Sequence, residues 1–386
     1  MKSFEKILVR GVNWLGDAVM TTPALQRLRE AQPQAHITLL THAKLAELWQ
    51  YHSSVDSVLT LREDESVFQI ARRLRSERFQ AAVLFPNSPR AALEAWLARI
   101  PERIGVTQPW RDLFLTRVIA RRPGQVRMRQ RSITEIKRLI ASPSAPAAVI
   151  PASAHHVHHY LQLVSSLGAV TELVPPSIVV TEAEVAAVRQ RFERTLSHGI
   201  RTPLFGLNAG AEYGPTKRWP RERFVAAAIV LHRKTGCRWW VLGAQADQEL
   251  AASVATGIQN AAGVGPGAVQ NLAGATSLRE LCAALKACDL LLTNDSGPMH
   301  VAAAVGTPVV APFGSTSPEL TGPGLPGEVR HQLLKSQAPC APCFLRQCPI
   351  DFRCMMGVHV ERVVTAALEA AGAKGGRGAP QNEYLV

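Results

Sequence analysis

Twice along the chain a short aliphatic run ends in a loop of glycine, asparagine and aspartate and then gives way to helical periodicity. This alternation restricts the fold more than any other feature. In the first half Lys6-Ile7-Leu8-Val9-Arg10 reads as a strand running into Gly11-Val12-Asn13-Trp14-Leu15-Gly16-Asp17. Ala18 to Ala31 then reads as one helix, with Val19, Leu25 and Leu28 on its apolar face. His36–Leu40, Ser57–Leu61 and Ala81–Phe85 read as further strands, with helices near 43–51 and 66–76. In the second half the strands are Leu204–Leu207, Trp239–Leu242, Asp289–Thr293 and Pro308–Ala311. The helices between them fall near Arg221–Thr235, 247–256, Leu278–Ala287 and Pro298–Val305. Strand and helix alternating at this spacing predict an α/β class with parallel sheets covered on both faces. The halves join around 175–202, where Pro175-Pro176 and a charged helix, Glu182–Arg194, read as a connector.

Forty-three Lys and Arg against thirty Asp and Glu leave a formal charge of +13. Residues 99–138 hold eleven basic and three acidic side chains and so supply +8 of it. Such a patch suits a polyanion, whether nucleic acid, an acidic membrane face or a phosphorylated substrate, or else is a solvated surface helix. No apolar run approaches the roughly 18 residues of a membrane span. MKSFEKILVRG has no signal-like apolar region, so a cytoplasmic chain is expected and its seven cysteines are read as thiols or metal ligands rather than disulfides.

In open α/β sheets ligands bind beyond the carboxyl ends of the strands. Gly16-Asp17 stands at such an end, where the carboxylate is either a helix cap or a fixed base. The loop has neither the G-x-G-x-x-G dinucleotide fingerprint nor a Gly-Lys-Ser/Thr phosphate loop. Tyr213-Gly214-Pro215-Thr216-Lys217-Arg218-Trp219-Pro220 sets two cations just before a helix start, a conflict that a bound anion would relieve, unless the turn is simply exposed. Asn294-Asp295-Ser296-Gly297-Pro298-Met299-His300 is the sharpest local signal. It is a strand end followed by Asp, Ser and Gly, with Pro at the first helical position and His300 one turn on. With Phe313-Gly314-Ser315-Thr316-Ser317 after the next strand, it fits a nucleotide diphosphate, or else a capped helix and a turn. Cys340-x2-Cys343-x4-Cys348-x5-Cys354 reads either as a zinc site or as buried or redox-active thiols. His155, His156, His158 and His159 read as a solvated helix start rather than a metal tract.

Five stretches, ILVRGVNWLGDAVMTTPALQRLR, VLFPNSPRAALEAWLARIPERIGV, LNAGAEYGPTKRWP, TNDSGPMHVAAAVGTPVVAPFGSTSPELTGP and PCAPCFLRQCP, span nearly the whole chain in order. In them the sequence resembles the lipopolysaccharide heptosyltransferases, inverting glycosyltransferases that use ADP-heptose, and is most similar to their type II group. Type I and type III enzymes are the nearest alternatives. A zinc-bearing, basic nucleic-acid-binding protein is the alternative from another class. Against it stand the absence of a nucleic-acid-binding motif and an aromatic content of 6%.

The resemblance implies a GT-B fold, with two Rossmann-like domains facing a cleft. It divides the chain into an acceptor-binding domain over 1–185, a donor-binding domain over 186–372 and a disordered tail from 373. It makes Asp17 the general base and Lys217 the catalytic cation at the donor pyrophosphate. It places Thr216, Arg218, Asp295, Ser296, Gly297 and His300 on the donor. Asn13, Gly16, Asn87 and Arg90 fall on the acceptor side. The expected partners are ADP-heptose and a Kdo–lipid A type acceptor at the inner membrane surface, with no cofactor required. The enzyme is accordingly expected to be cytoplasmic and peripheral on that membrane.

Overall fold

The computed structural model describes residues 3–62, 64–142, 150–193 and 202–374. The chain divides into two compact units. The first comprises Met1–Arg127, Val149–Val179 and Glu319–Pro326, and the second Met128–Ala148, Val180–Pro318 and Gly327–Val386. A single cut at 185 therefore differs from this division in three segments: 128–148 and 180–185 count with the second unit and 319–326 with the first. The charged helix Glu182–Phe192 is part of the second unit rather than a connector, and Arg279 of helix Leu278–Ala287 forms an ion pair with its Glu184. The expected tail lies outside the described residues from 375 on; helix Val360–Lys374 runs up to that point.

The first unit holds strands β1 (Lys6–Arg10), β2 (His36–His42), β3 (Ser57–Leu61), β4 (Ala81–Leu84), β5 (Glu102–Val106) and β6 (Arg117–Ile119), in the order β3-β2-β1-β4-β5-β6. The second holds β7 (Leu204–Asn208), β8 (Arg238–Val241), β9 (Val269–Asn271), β10 (Leu290–Thr293), β11 (Val309–Phe313) and β12 (Gln332–Lys335), in the order β12-β11-β10-β7-β8-β9. Every pairing is parallel. Numbered within its own unit, the second sheet repeats the strand order of the first, which is that of doubly wound nucleotide-binding folds. Central strands are buried along their length, as a sheet covered on both faces requires, and read as continuous apolar runs such as Leu290–Leu292 and Ile7–Val9.

The expected helix Ala18–Ala31 is two helices, Leu15–Met20 and Thr22–Ala31. The Thr21 and Thr22 hydroxyls turn back onto the carbonyls of Ala18 and Val19. Pro23, in the first turn of the second helix, has no N–H to continue the first. The Arg-rich stretch 99–138 is not a surface helix. It begins with β5 and the edge strand β6, with a single 3-10 turn at Asp112–Phe114 between them, and its only α-helix among the described residues is Ile133–Ala141.

Both sheets change direction at a topological switch point, between β1 and β4 in the first and between β7 and β10 in the second. The loops following these four strands frame the crevices where such folds bind ligands.

Candidate active site

In the first unit β1 ends on Arg10, a buried guanidinium whose Nε lies 3.1 Å from Glu94 Oε2. Glu94 stands on helix Pro89–Leu97, which follows β4, so the pair ties together the two strands of the switch point. Arg90 holds the other oxygen of Glu94 at 3.1 Å and is itself more than half exposed. Asn13 and Asn87 are exposed, and the Asn87 Oδ1 accepts from Arg111 at 3.2 Å. Gly16 lies in the first turn of helix Leu15–Met20.

Asp17 does not cap that helix. The cap position is Trp14, and Asp17 lies within the first turn, where its carboxylate acts electrostatically on His156 and Tyr160. Burial holds the His156 imidazole below the ordinary histidine range, with the Asp17 charge opposing that shift and Arg122 adding to it. Tyr160 is fully buried and its phenol is raised, first by burial and then by Asp17.

The histidine tract is not a solvated helix start. His155 and His159 are buried, and His155 Nε2 lies 3.0 Å from the Gly322 carbonyl. His156 and His159 stack with ring centroids 5.2 Å apart, and Tyr160 packs edge-on to both. Periodicity could not reveal this, because the helix buries its first turn against a segment far away in sequence.

In the second unit β7 and β10 deliver the sharpest constellation. Lys217 Nζ lies 2.7 Å from Asp295 Oδ2, and the two side chains are 16% and 4% exposed. The Thr316 hydroxyl donates to the same Asp295 oxygen at 2.5 Å. His300 is buried beneath them with its pKa pushed down to about 4. Burial is the main cause, Asp295 opposes it, and Lys217 and His331 add to it. His300 is thus a neutral imidazole at neutral pH. Arg218 pairs with Asp247 at 3.7 Å. The expected conflict of two cations before a helix is therefore relieved by two carboxylates of the protein itself. Ser296 precedes helix Gly297–Ala304 in extended conformation, and its hydroxyl accepts from Asn208 Nδ2 at 3.1 Å rather than capping the helix.

Sequence reasoning missed several members of this arrangement. Asn208 closes β7 and bonds to Thr293 and Ser296, linking the two switch-point strands. Asn294 accepts from the Trp219 N–H at 2.8 Å and donates to the Ala209 carbonyl at 2.7 Å. The available signal was a buried amide at the end of each apolar run. Asp247 packs against Gly210, where an added Cβ would stand 2.5 Å from the carboxylate. No local pattern joins 210 to 247.

The cysteine segment supports the same loop from behind. The Thr216 hydroxyl donates to the Leu345 carbonyl at 2.5 Å and Tyr213 Oη to the Phe344 carbonyl at 2.7 Å. Cys340, Cys343, Cys348 and Cys354 line one small cavity with Ile136, Thr216 and Ser315. Burial raises the Cys354 thiol to about 12 and also lifts Cys340 and Cys343. Among the described residues no group of three or more His, Cys, Asp or Glu side chains is arranged to hold a metal ion.

Two doubly wound parallel sheets, each with polar side chains gathered at its switch point, define a tandem Rossmann-like protein of the kind that handles nucleotide-bearing substrates. The profile of glycosyltransferase family 9 (heptosyltransferase) matches residues 138–352, more than half the chain, and the protein belongs to that family. The lipopolysaccharide heptosyltransferase 2 of Salmonella typhimurium is 29% identical over 82% of this chain and 85% of its own length. The lipooligosaccharide heptosyltransferase 2 of Campylobacter jejuni is 26% identical over 94% and 97%. The solved structure of the Escherichia coli ADP-heptose lipopolysaccharide heptosyltransferase II superposes with a TM-score of 0.73 at 24% identity, covering 96% of this chain and 99% of that one. The fold is that of these two-sheet transferases, and the chain is a glycosyltransferase of the heptosyltransferase family.

Proposed function

We propose that this enzyme transfers heptose from ADP-heptose, with inversion, onto a heptosyl-Kdo–lipid A acceptor of the lipopolysaccharide inner core, the type II reaction. The similarity to heptosyltransferases 2 over most of both chains supports the substrate pair. The observation that carries the chemistry is the buried Lys217–Asp295 pair at the switch point of the second sheet. A donor diphosphate arriving there competes with Asp295 for the ammonium. As the bond to the anomeric carbon breaks, charge grows on the departing ADP and the Lys217 contact strengthens. Thr216, Arg218, Ser296, Gly297 and the neutral His300 complete the donor side. In the first unit Asp17 takes the proton of the attacking acceptor hydroxyl. Asn13, Gly16, Asn87 and Arg90 flank the acceptor. This mechanism draws on no cofactor, and the cysteine segment acts as support for the Thr216–Lys217 loop. The acceptor is lipid-borne, so the enzyme works from the cytoplasm, peripherally, at the inner face of the cytoplasmic membrane.

The test is ADP release from ADP-heptose with heptosylated and unheptosylated Kdo–lipid A acceptors side by side. Release only with the heptosylated acceptor is expected; release only with the other makes the enzyme type I. Asp17→Asn is expected to abolish transfer while ADP-heptose still binds. Transfer at a near wild-type rate by that variant removes Asp17 from the base role.

A further inference from the structure

The first unit exposes large apolar side chains next to uncompensated cations at the β5–β6 edge of its sheet. Between β5 and β6 the chain makes one turn, Gln108–Leu115, that sends neighbouring residues in opposite directions. Arg111 points inward and is fully buried, donating to the carbonyls of Leu84 at 3.1 Å and Val106 at 2.8 Å and to Asn87 Oδ1. Asp112 is fixed as well, accepting from the Thr107 hydroxyl at 2.6 Å and the Gln108 N–H at 2.9 Å. Trp110 and Leu113 point outward and are 80% and 76% exposed. Trp110 has a φ of 63°, a conformation residues with a side chain rarely adopt. A turn anchored this firmly does not expose an indole through looseness; it presents it.

The presented residues extend an apolar surface. The Phe114 ring packs against Trp96 on helix Pro89–Leu97, with centroids 5.7 Å apart, and Trp96 is itself 46% exposed. An arginine stands at each end of this surface. Arg99 follows the helix, its N–H on the Trp96 carbonyl, and Arg121 follows β6, bonded to Gln108 Oε1 at 3.1 Å. Neither forms an ion pair among the described residues. Tryptophan with arginine is the pairing that settles at a bilayer interface, the ring at headgroup depth and the cation on lipid phosphate.

We propose that Trp96, Trp110 and Leu113, with Arg99 and Arg121, form a docking surface for the anionic face of a lipid bilayer. The charge argues for lipid over a protein partner, since within the first unit these two arginines lie in a stretch, 99–127, with seven basic and two acidic side chains. Stable attachment by shallow insertion needs two signals, and the surface supplies both, an apolar wedge and a basic rim. This deepens the peripheral-membrane reading above and rests on it, but it is tested without heptose transfer.

The experiment is co-sedimentation of the full chain with phosphatidylcholine vesicles with and without phosphatidylglycerol. Binding is expected only with phosphatidylglycerol and weakens as salt rises. Trp110→Ser/Leu113→Ser lowers partitioning by about ten-fold or more. Arg99→Gln and Arg121→Gln each lower it by about five-fold. Phe68→Ser serves as the control. Phe68 is 74% exposed on helix Val67–Ser76, near the end of helix Pro89–Leu97 opposite Trp96, and its loss changes nothing.

Absence of vesicle binding, an equal effect of Phe68→Ser, or an unaffected Trp110→Ser/Leu113→Ser variant overturns the proposal. So does self-association of the chain that the same double substitution abolishes, which would assign the surface to a second copy. With a water-soluble acceptor fragment the double variant releases ADP at the wild-type rate; a matching loss there places the turn in catalysis and also overturns docking. A wild-type chain that binds vesicles yet releases no ADP with any acceptor supports docking and refutes the transfer reading.

Discussion

Lys217 Nζ and Asp295 Oδ2, 2.7 Å apart, join the loop that follows β7 to the loop that follows β10. The bond closes the switch point of the second sheet with a cation suited to a diphosphate, held in the meantime by a carboxylate of the protein. In the proposed mechanism, losing the cation removes a donor aimed at the developing charge of the leaving group, an effect of about 2.7–4 kcal/mol. Lys217→Ala is therefore expected to slow ADP release by roughly two to three orders of magnitude. Steady-state kinetics at saturating acceptor checks this, and a loss under ten-fold would remove Lys217 from the transition state.

The same pair controls His300. Lys217 lowers the His300 pKa and Asp295 raises it, on top of the larger effect of burial. In Lys217→Ala the depressing charge is gone, so His300 should titrate above its present value of about 4; in Asp295→Asn it should titrate below it. Imidazole proton shifts followed by NMR across acid pH read this directly. Movement in the same direction in both variants would contradict the arrangement.

Much of this site was legible in the sequence, for a physical reason. Parallel sheets deliver their polar chemistry beyond strand ends, so Asp17, Lys217 and Asp295 stand in the loops or first turns that follow β1, β7 and β10. What was not legible depends on distance along the chain. Thr316 reaches Asp295 across 21 residues, and the Tyr213–Lys217 loop rests on the cysteine segment about 130 residues on. Of the two roles open to Asp17, the cap falls away because the helix begins two residues earlier, at Leu15. The edge strand β6 and its neighbour β5 escaped notice because they carry charge, here Glu102, Arg103 and Arg117, and mimic a solvated helix. Pro23, by contrast, was a visible signal that the first helix had to break.

Buried neutral histidines give the protein an acid-sensitive stability. His52 and His300 have pKa values near 4 and His159 near 3, each depressed chiefly by burial from an unfolded value near 6.5. Below pH 6.5 the unfolded chain binds more protons than the folded one. Their contribution is therefore complete above 6.5 and drains away as pH falls toward 4. Each histidine costs up to about 1.4 kcal/mol per pH unit in that window. Urea unfolding midpoints should fall between pH 6.5 and 5, before most carboxylates titrate. A flat profile there would mean that these imidazoles are not neutral in the fold.

Glu184 makes the complementary prediction at lower pH. Its carboxylate accepts two bonds from Arg279 and two more from the N–H and hydroxyl of the cap residue Thr181, and these hold it down to about 2. Its contribution is present above the unfolded value near 4.5 and is lost as pH falls through 2. Glu184→Gln should destabilise the second unit by about 1–3 kcal/mol at neutral pH and by almost nothing at pH 2. Denaturant titration at the two pH values separates this from a packing defect, which would cost the same at both.

The loop bearing Lys217 is held from behind by the backbone of the cysteine segment. Gly214 adopts a φ of +153°, and a Cβ there would stand 2.7 Å from the Arg346 carbonyl oxygen and 3.3 Å from the Arg346 Cα. That carbonyl also accepts the Thr216 N–H at 3.4 Å, and the Thr216 hydroxyl bonds to the neighbouring Leu345 carbonyl. Backbone, not a flexible side-chain tip, blocks the added methyl, so the loop rather than its neighbour must shift. Strain of this kind costs about 1–3 kcal/mol. It falls two residues before Thr216, with Pro215 between, and Lys217 follows directly. Gly214→Ala is thus expected to weaken ADP-heptose binding by about ten-fold while the chain stays folded, about 1.4 kcal/mol of lost affinity. Calorimetric titration of the donor, with a thermal melt alongside, checks both halves. Unchanged affinity in a folded variant would show that the loop reaches its binding geometry without the Thr216 contacts, and that the cysteine segment behind it does not position Lys217.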